Sequence, residues 1–484
     1  MPTRCKWAFY GLSLFLVVVA SGCPMFSYTP GSTLPGEGPR LGKKHLTQDQ
    51  IASGNIPLQW IRLDGRRIFS TPFNKRDGYG DGPESASEDP TILGGRPTLQ
   101  NNGTFLRVNG LDGQMCVECH FILSHRSIPI RFGIGGAGGS VTNALFRPTE
   151  IDVADNANAG FASFDGRFIN PPSLFGTGGV QLVANDMTMR LQQLKAQAKN
   201  QPGTPVHLVA KGVDFGTITY TGGAFDTSDV HGIASDLVVR PFGRKGEFAT
   251  VRQFDLDAMQ FHLGMQPTEV VGANVDADHD GVANEVNPGE ISALDIYITT
   301  LERPDAVASP DTQAGFTLFK QIGCADCHVP AMTTTSRFLT FSFPEVQTDP
   351  TANVYYRTDL TKAPTGFAPA GNGIRVPMFS DLKRHDMGPA LAESFGSPLD
   401  SEFLTARLWG VADTAPYLHD GRALTLGDAI MLHGGEAAAS RDAYTALADA
   451  DKAQVLHFLL SLRSPSSVGG DLDKLSAQLN PAGQ

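Results

Sequence analysis

The stretch QIGCADCHVP, residues 321–330, sets two cysteines three apart and a histidine directly behind the second. A disulfide, half of a zinc site and the attachment point of a c-type haem can all begin this way. The chain of 484 residues has six cysteines, Cys5, Cys23, Cys116, Cys119, Cys324 and Cys327, and their distribution decides. Cys5 and Cys23 belong to an N-terminal targeting segment. The other four form two copies of C-x-x-C-H, CVECH at 116–120 and CADCH at 324–328. A disulfide reading leaves both following histidines unexplained. Zinc would have to merge the two pairs into one site, and the histidines would again be idle. Haem attachment uses all six residues. The thiols add to porphyrin vinyl groups, and His120 and His328 reach the iron as proximal ligands. The sequence therefore predicts two covalently attached haem c groups.

The N-terminus, MPTRCKWAFYGLSLFLVVVASGC, carries Arg4 and Lys6 ahead of an apolar run from Trp7 to Ala20. That run is short for a membrane span, which takes roughly 20 apolar residues, and has the build of a signal peptide. It ends Ala20-Ser21-Gly22-Cys23, which resembles a bacterial lipobox. Residues 1–22 are read as a lipoprotein signal peptide and Cys23 as the lipid site. An ordinary secretory signal cut nearby is the alternative. The expected location is the bacterial cell envelope, lipid-anchored and facing the periplasm or the surface. A net charge of −12 argues against nucleic acid as a partner.

Composition and patterning predict a mainly α protein with long ordered loops, since Gly (53) and Pro (32) are abundant. Residues 23–90 read as a tether and irregular cover, 91–303 as a first haem domain, 304–470 as a second and 471–484 as a tail. Within the first domain, TMRLQQLKAQAK (188–199) has helical spacing. The segment 204–241 alternates apolar and polar residues, which predicts a small β insertion. In the second domain, Phe316, Phe319 and Ile322 form one stripe running into CADCH, the way a cytochrome c core begins. TLGDAIMLHGG (425–435) and DADKAQVLHFLLSL (449–462) read as amphipathic helices, the first with a Thr425/Asp428 variant of the capping box.

Each iron keeps a sixth position, and its occupant separates electron transfer from catalysis. Met431 and His433 lie two apart and point in nearly opposite directions on a helix. His433 shares the apolar face with Leu426, Ala429 and Ile430, so it is the expected sixth ligand of the second haem. The competing reading is a histidine at a helix C-terminus, where a cation is favoured. For the first haem, His125 is too close to His120 to swing across, and His262 is either a ligand or a core histidine. Separately, DADHDGVANEVN (276–287) places Asp276, Asp278 and Asp280 at positions 1, 3 and 5 of an EF-hand-type loop, with Gly281 at the turn. Val282 would give its carbonyl and Asn284 would sit at position 9. Asn287 stands where a bidentate Glu is usual, unless Glu290 substitutes. A calcium ion or a plain acidic turn are the two readings.

FSDLKRHDMGPALAES (379–394), LWGVADTAPYLHDGRALTLGDAI (408–430) and HGGEA (433–437) resemble the di-haem oxidoreductase, putative peroxidase family, relatives of the bacterial di-haem cytochrome c peroxidases. The resemblance covers most of 300–465 and, more weakly, GLDGQMCVECH and INPPSLFGTGG. It implies two cytochrome c-like domains facing each other, with a C-terminal haem that passes electrons to an N-terminal haem that reduces hydrogen peroxide. It also implies a periplasmic or membrane electron donor. Counting from the Tyr-x-His-x-Gly motif at Tyr417–Gly421, the family's sixth ligand falls on His433, where those peroxidases usually carry Met. Asn185-Asp186-Met187 resembles their Glu-Met pair, which implies Asp186 as the catalytic acid. The alternative function is a non-catalytic di-haem electron-transfer lipoprotein. A third, oxidation of a protein side chain as in the methylamine dehydrogenase maturation enzyme, is disfavoured by His433, where that enzyme has tyrosine.

Overall fold

Two helix crossings, each made possible by a glycine, organise the chain. The computed structural model describes residues 38–41, 45–80, 115–120, 122, 124, 145–152, 163–278, 280–393 and 400–479. The signal segment, Cys23 and His125 lie outside the described residues.

The first crossing begins in the stretch expected to be irregular, and that expectation is corrected here. Helix α1 (Gln48–Ala52) starts at a Thr47/Gln50 capping box, and α2 (Leu58–Ser70) follows Pro57. Ile61, Gly65, Ile68 and Phe69 fall on one face of α2 and are buried. Arginines and an aspartate between them dilute the pattern, which is why composition hid it. Helix α3 (Thr177–Asn200) is 24 residues long and begins eleven residues before its amphipathic part. Its first half, TGGVQLVANDMT, is buried all round and so shows no helical period. Helix α4 (Val251–Ala258) runs into a π-helical turn, Met259–Leu263; α5 (Thr268–Val271) and α6 (Pro288–Thr299) follow. At the α2–α6 crossing, a Cβ on Gly65 would stand 2.1 Å from the Ala293 carbonyl oxygen. Phe69 meets Tyr297 edge-on with centroids 5.7 Å apart.

The second crossing joins α7 (Pro310–Gln321) to α10 (Asp449–Leu460), with α8 (Leu426–Met431) and α9 (Ala438–Ala446) between them in sequence. A Cβ on Gly315 would stand 1.9 Å from the Gln454 carbonyl oxygen, and Phe319 packs on Phe458 at 5.2 Å. Helix α11 (Gly470–Leu479) falls in the expected tail but is anchored: Leu472 is fully buried and Asp471 pairs with buried Arg62.

The hydrophobic residues divide accordingly. A larger core runs through α2, α3, α4 and α6, with Cys116, Val117 and Ile122 against its edge. A smaller core holds Phe319, Ile322, Phe379, Val455, Phe458 and Leu459. The β insertion is a three-stranded antiparallel sheet, Val206–Ala210, Val213–Thr221 and Ala224–Asp226, whose alternate residues bury against α3. Short antiparallel pairs, such as Phe338–Ser342 with Val354–Asp359, fill the long connection from α7 to α8. The molecule is thus helical with several small sheets. No helix among the described residues is long and apolar enough to cross a membrane.

Candidate haem sites

The second C-x-x-C-H follows α7 at once. Gly323, with φ of 84°, turns the chain into a 3-10 turn over Cys324–Asp326, a backbone state that favours glycine. Cys324 and Cys327 are free, half-buried thiols. His328 Nδ1 lies 3.1 Å from the Phe379 carbonyl oxygen. A carbonyl only accepts, so Nδ1 carries the hydrogen and Nε2 keeps its lone pair. Burial, and then the nearby His433, pull the His328 pKa down to about 4, so the ring is neutral at neutral pH.

His433 sits just past the end of α8 with its Nδ1 2.8 Å from the Ala429 carbonyl, which fixes the same tautomer. Its ring centroid lies 6.3 Å from that of His328. Two imidazoles sharing one metal through bonds of about 2 Å have centroids roughly 6 Å apart, so this pair fits an iron between them. Met431 is 48% exposed, and its sulfur accepts from Thr445 Oγ1 instead. Phe316, Phe319, Phe379 and Phe458 form a mutually packed aromatic group beside His328. Paired thiols, a neutral imidazole with a free Nε2 and an apolar wall are the groups that c-type haem requires.

A residue that sequence reasoning passed over, His385, braces this site. Its Nε2 lies 2.8 Å from Asp381 and its Nδ1 2.8 Å from Glu436. Both carboxylates only accept, so both ring nitrogens donate and the ring is an imidazolium. Against the pull of burial, the Asp381 bond, Cys327 and Glu436 raise its pKa to about 11. Asp381, His385 and the Cys327 sulfur lie within 4.8 Å of one another. Glu436 also accepts from the Asp386 backbone, so the turn that follows His433 is tied to the attachment cysteine through His385. The available signal was His385-Asp386-Met387-Gly388 and Glu436 inside the two quoted motifs.

At the first site, Cys116–Glu118 form the same 3-10 turn, and His120 Nδ1 lies 3.0 Å from the Pro172 carbonyl. Burial lowers the His120 pKa to about 4, opposed in part by this bond, with His262 adding to the fall. His262 stands on the π-helical turn after α4, and such single-turn irregularities are frequent at functional sites. One helix earlier is Asp255, buried, whose carboxyl is raised well above its usual range by burial and then by Asp295. Asp255 is also the charge that adds most, after burial, to holding the Cys116 thiol protonated. Its Oδ2 has no hydrogen-bond partner. Asp186 is placed otherwise. It accepts from Thr335 N at 2.7 Å and Oγ1 at 2.6 Å, and pairs with Lys211 at 2.8 Å. A side chain so engaged ties α3 to the 332–376 strands.

The two sites are joined through the Tyr-x-His-x-Gly loop. Asn170 N donates to His419 O at 2.7 Å, and its Nδ2 donates to Pro416 O and Leu418 O. Two residues on is Pro172, which holds His120, followed by Ser173, whose carbonyl accepts from Arg407. His419 itself is half-buried and stacked on Phe403, with ring centroids 4.3 Å apart.

The family model described as "Di-haem oxidoreductase, putative peroxidase" matches residues 267–462. Over that span the chain is similar to this family. The family span holds CADCH, the His385 clamp and His433, and the first C-x-x-C-H lies outside it. No curated protein matches the chain. Among solved structures it is similar to Kuenenia stuttgartiensis hydrazine synthase, at 17% identity over 36% of this chain and 55% of that one, TM-score 0.22. It is also similar to a MauG-like protein associated with microbial copper homeostasis, at 17% identity over 50% of this chain and 76% of that one, TM-score 0.26. The chain spans about half the length of the first.

Proposed function

We propose that this di-haem redox protein is a peroxidase-like oxidoreductase of the cell envelope, exported and held by lipid on Cys23. The observation that carries the reading is the inequality of the two sites. At the second, the His328 and His433 rings lie 6.3 Å apart, a separation at which both could bind one iron and leave it no open position. At the first, a proximal imidazole of the same tautomer is accompanied by a π-helical turn and a buried carboxyl, Asp255, whose pKa burial raises.

Cys116, Cys119 and His120 would hold one haem c, and Cys324, Cys327, His328 and His433 the other. Bound haem supplies the redox chemistry, with electrons entering at the C-terminal site and leaving to hydrogen peroxide at the N-terminal one. The protein's residues do the rest. Pro172 and Phe379 fix the proximal rings, and His433 denies the second site to substrate. Asn170 and Arg407 keep the two sites in register, and Asp255 Oδ2 holds the proton that peroxide cleavage needs. An imidazole in place of a thioether favours the ferric state, so the donor must be one of lower potential than for a Met-ligated relative.

Holoprotein, reduced and exposed to carbon monoxide, tests the assignment. One haem should bind it, and the protein should consume peroxide with a small-molecule donor. Two low-spin haems inert to ligands would make the protein an electron carrier and sink the catalytic reading.

A further inference from the structure

Three aspartates converge on the segment that links α5 to α6. One ligand oxygen each from Asp276, Asp278 and Asp280 lies within 4.8 Å of the others. Asp276 accepts from the backbone of Asp280 and Gly281, and Asp280 from that of Val282. Gly281, at φ of 92°, makes the turn. These contacts shape a loop and would occur in any acidic turn.

Glu285 is what a plain acidic turn does not explain. Its side chain is 4% exposed, yet its Oε1 has no hydrogen-bond partner; Oε2 accepts from Gln266 N at 2.6 Å. It is lodged against Gly78, where a Cβ would stand 2.1 Å from its Cδ, so that glycine leaves the room it occupies. Burial and then Asp278, Asp280 and Asp276 push its pKa up to about 10, so those three aspartates are the charges it faces. At Asp280 the Val282 backbone bond and then Lys75, the smallest contribution, act the other way. A buried carboxyl with an open oxygen beside three acidic side chains is costly unless a cation completes it.

We infer that Asp276, Asp278, Asp280 and Glu285 form a calcium site, with the Val282 carbonyl contributing at the loop's seventh position. An all-oxygen set without nitrogen or sulfur, on an irregular loop, suits calcium over zinc or copper. Glu285 takes the place the loop pattern gave to Asn287 or Glu290. Those two are spent on each other in the capping box of α6, and Glu290 also on His45. Asn284 is not turned to the loop either, since its amide pairs with Asn274 on both atoms. The site stands independently of which reaction the haems carry out.

The test is a calorimetric titration of EGTA-treated holoprotein with Ca2+. Wild type should bind it, and Glu285→Gln and Asp278→Asn should bind at least tenfold more weakly with haem content unchanged. If Glu285→Gln fails to fold, the half-buried Asp280→Asn carries the comparison, and the same tenfold loss is expected. Absence of binding heat in wild type, or wild-type affinity in the variant that folds, overturns the inference.

Discussion

The α2–α6 and α7–α10 crossings are two versions of one unit, and they differ in what lies between their parts. Each opens with a helix carrying Gly and, four residues on, Phe: Gly65 and Phe69, Gly315 and Phe319. Each glycine admits a partner helix's carbonyl, and each phenylalanine packs on an aromatic ring there. Each proximal histidine then donates to a carbonyl about equally far downstream, 52 residues for His120 and 51 for His328. In the second unit only residues 322–323 separate helix from haem motif; in the first, residues 71–115 do. The repeat is therefore conserved in space where it is lost in sequence. Close packing tolerates a long insertion in a connection, because loop closure costs little more per added residue, but not a side chain at the crossing.

The largest test of that equivalence is at the glycines. Gly65→Val and Gly315→Val should each destabilise at the upper end of roughly 1–3 kcal/mol, because the new carbons meet backbone rather than a movable side chain. Thermal unfolding followed at each haem's absorption would show it. If Gly315→Val is severe and Gly65→Val is mild, α2 is not the counterpart of α7.

The sixth positions come next. His433→Ala should convert the C-terminal haem from low-spin to high-spin without releasing it, and His262→Ala should alter only the N-terminal signal, both read by EPR. A His433→Ala spectrum identical to wild type would remove the ligand assignment. A His262→Ala spectrum unchanged at the first haem would leave the π-helical turn without a role there.

Much of this was legible in the sequence, and the misses have a common cause. The two C-x-x-C-H motifs, the stripe into CADCH and the small β sheet all rest on local spacing, which survives as a string. The face argument put His433 inward and Met431 outward, and the structure has them so. What spacing could not reveal was anything decided by distant partners. Helix α2 is interrupted by charges such as Arg62, which is buried only because Asp471 and Thr300 receive it. Asp186 resembles a catalytic acid in the sequence, and its ion pair to Lys211 is visible only in the fold, while Asp255 and Glu285 stand at no motif position. All three are buried, and partners separate them: Lys211 and Thr335 engage Asp186, whereas Asp255 Oδ2 and Glu285 Oε1 have no hydrogen-bond partner among the described residues.

The His385 clamp has no counterpart around His120 in the contacts described, and it sharpens the contrast at a smaller scale. His385→Gln removes a fixed cation and leaves Asp381 and Glu436 facing the haem. The C-terminal haem potential should fall by on the order of 60 mV, a tenfold change in a one-electron equilibrium, and the N-terminal potential should stay put. The pH signature has a definite sign. Its folded pKa of about 11 lies above the unfolded value near 6.5. Its contribution to stability is therefore complete below about 6.5 and is lost as pH rises through about 11. His385→Gln should flatten that alkaline loss; an unchanged alkaline profile would deny the imidazolium.

The smallest effect should come from the junction, and it asks whether the two units are coupled or merely adjacent. Asn170→Ala removes the two side-chain hydrogen bonds to Pro416 O and Leu418 O without touching His120, His328 or His433. Asn170 N still donates to His419 in the variant, so the loss is that of two side-chain bonds and one turn's rigidity, about 1 kcal/mol. Each haem should keep its own spectrum and potential, since Pro172 and Phe379 still hold the proximal rings. The rate of electron passage between them should fall, because a loosened 170–173 segment lets His120 and the loop leading to His433 move independently. Rapid-mixing reduction, monitored at the two haems separately, distinguishes the outcomes. Equal rates in wild type and variant would mean that the shared loop contributes stability and nothing more.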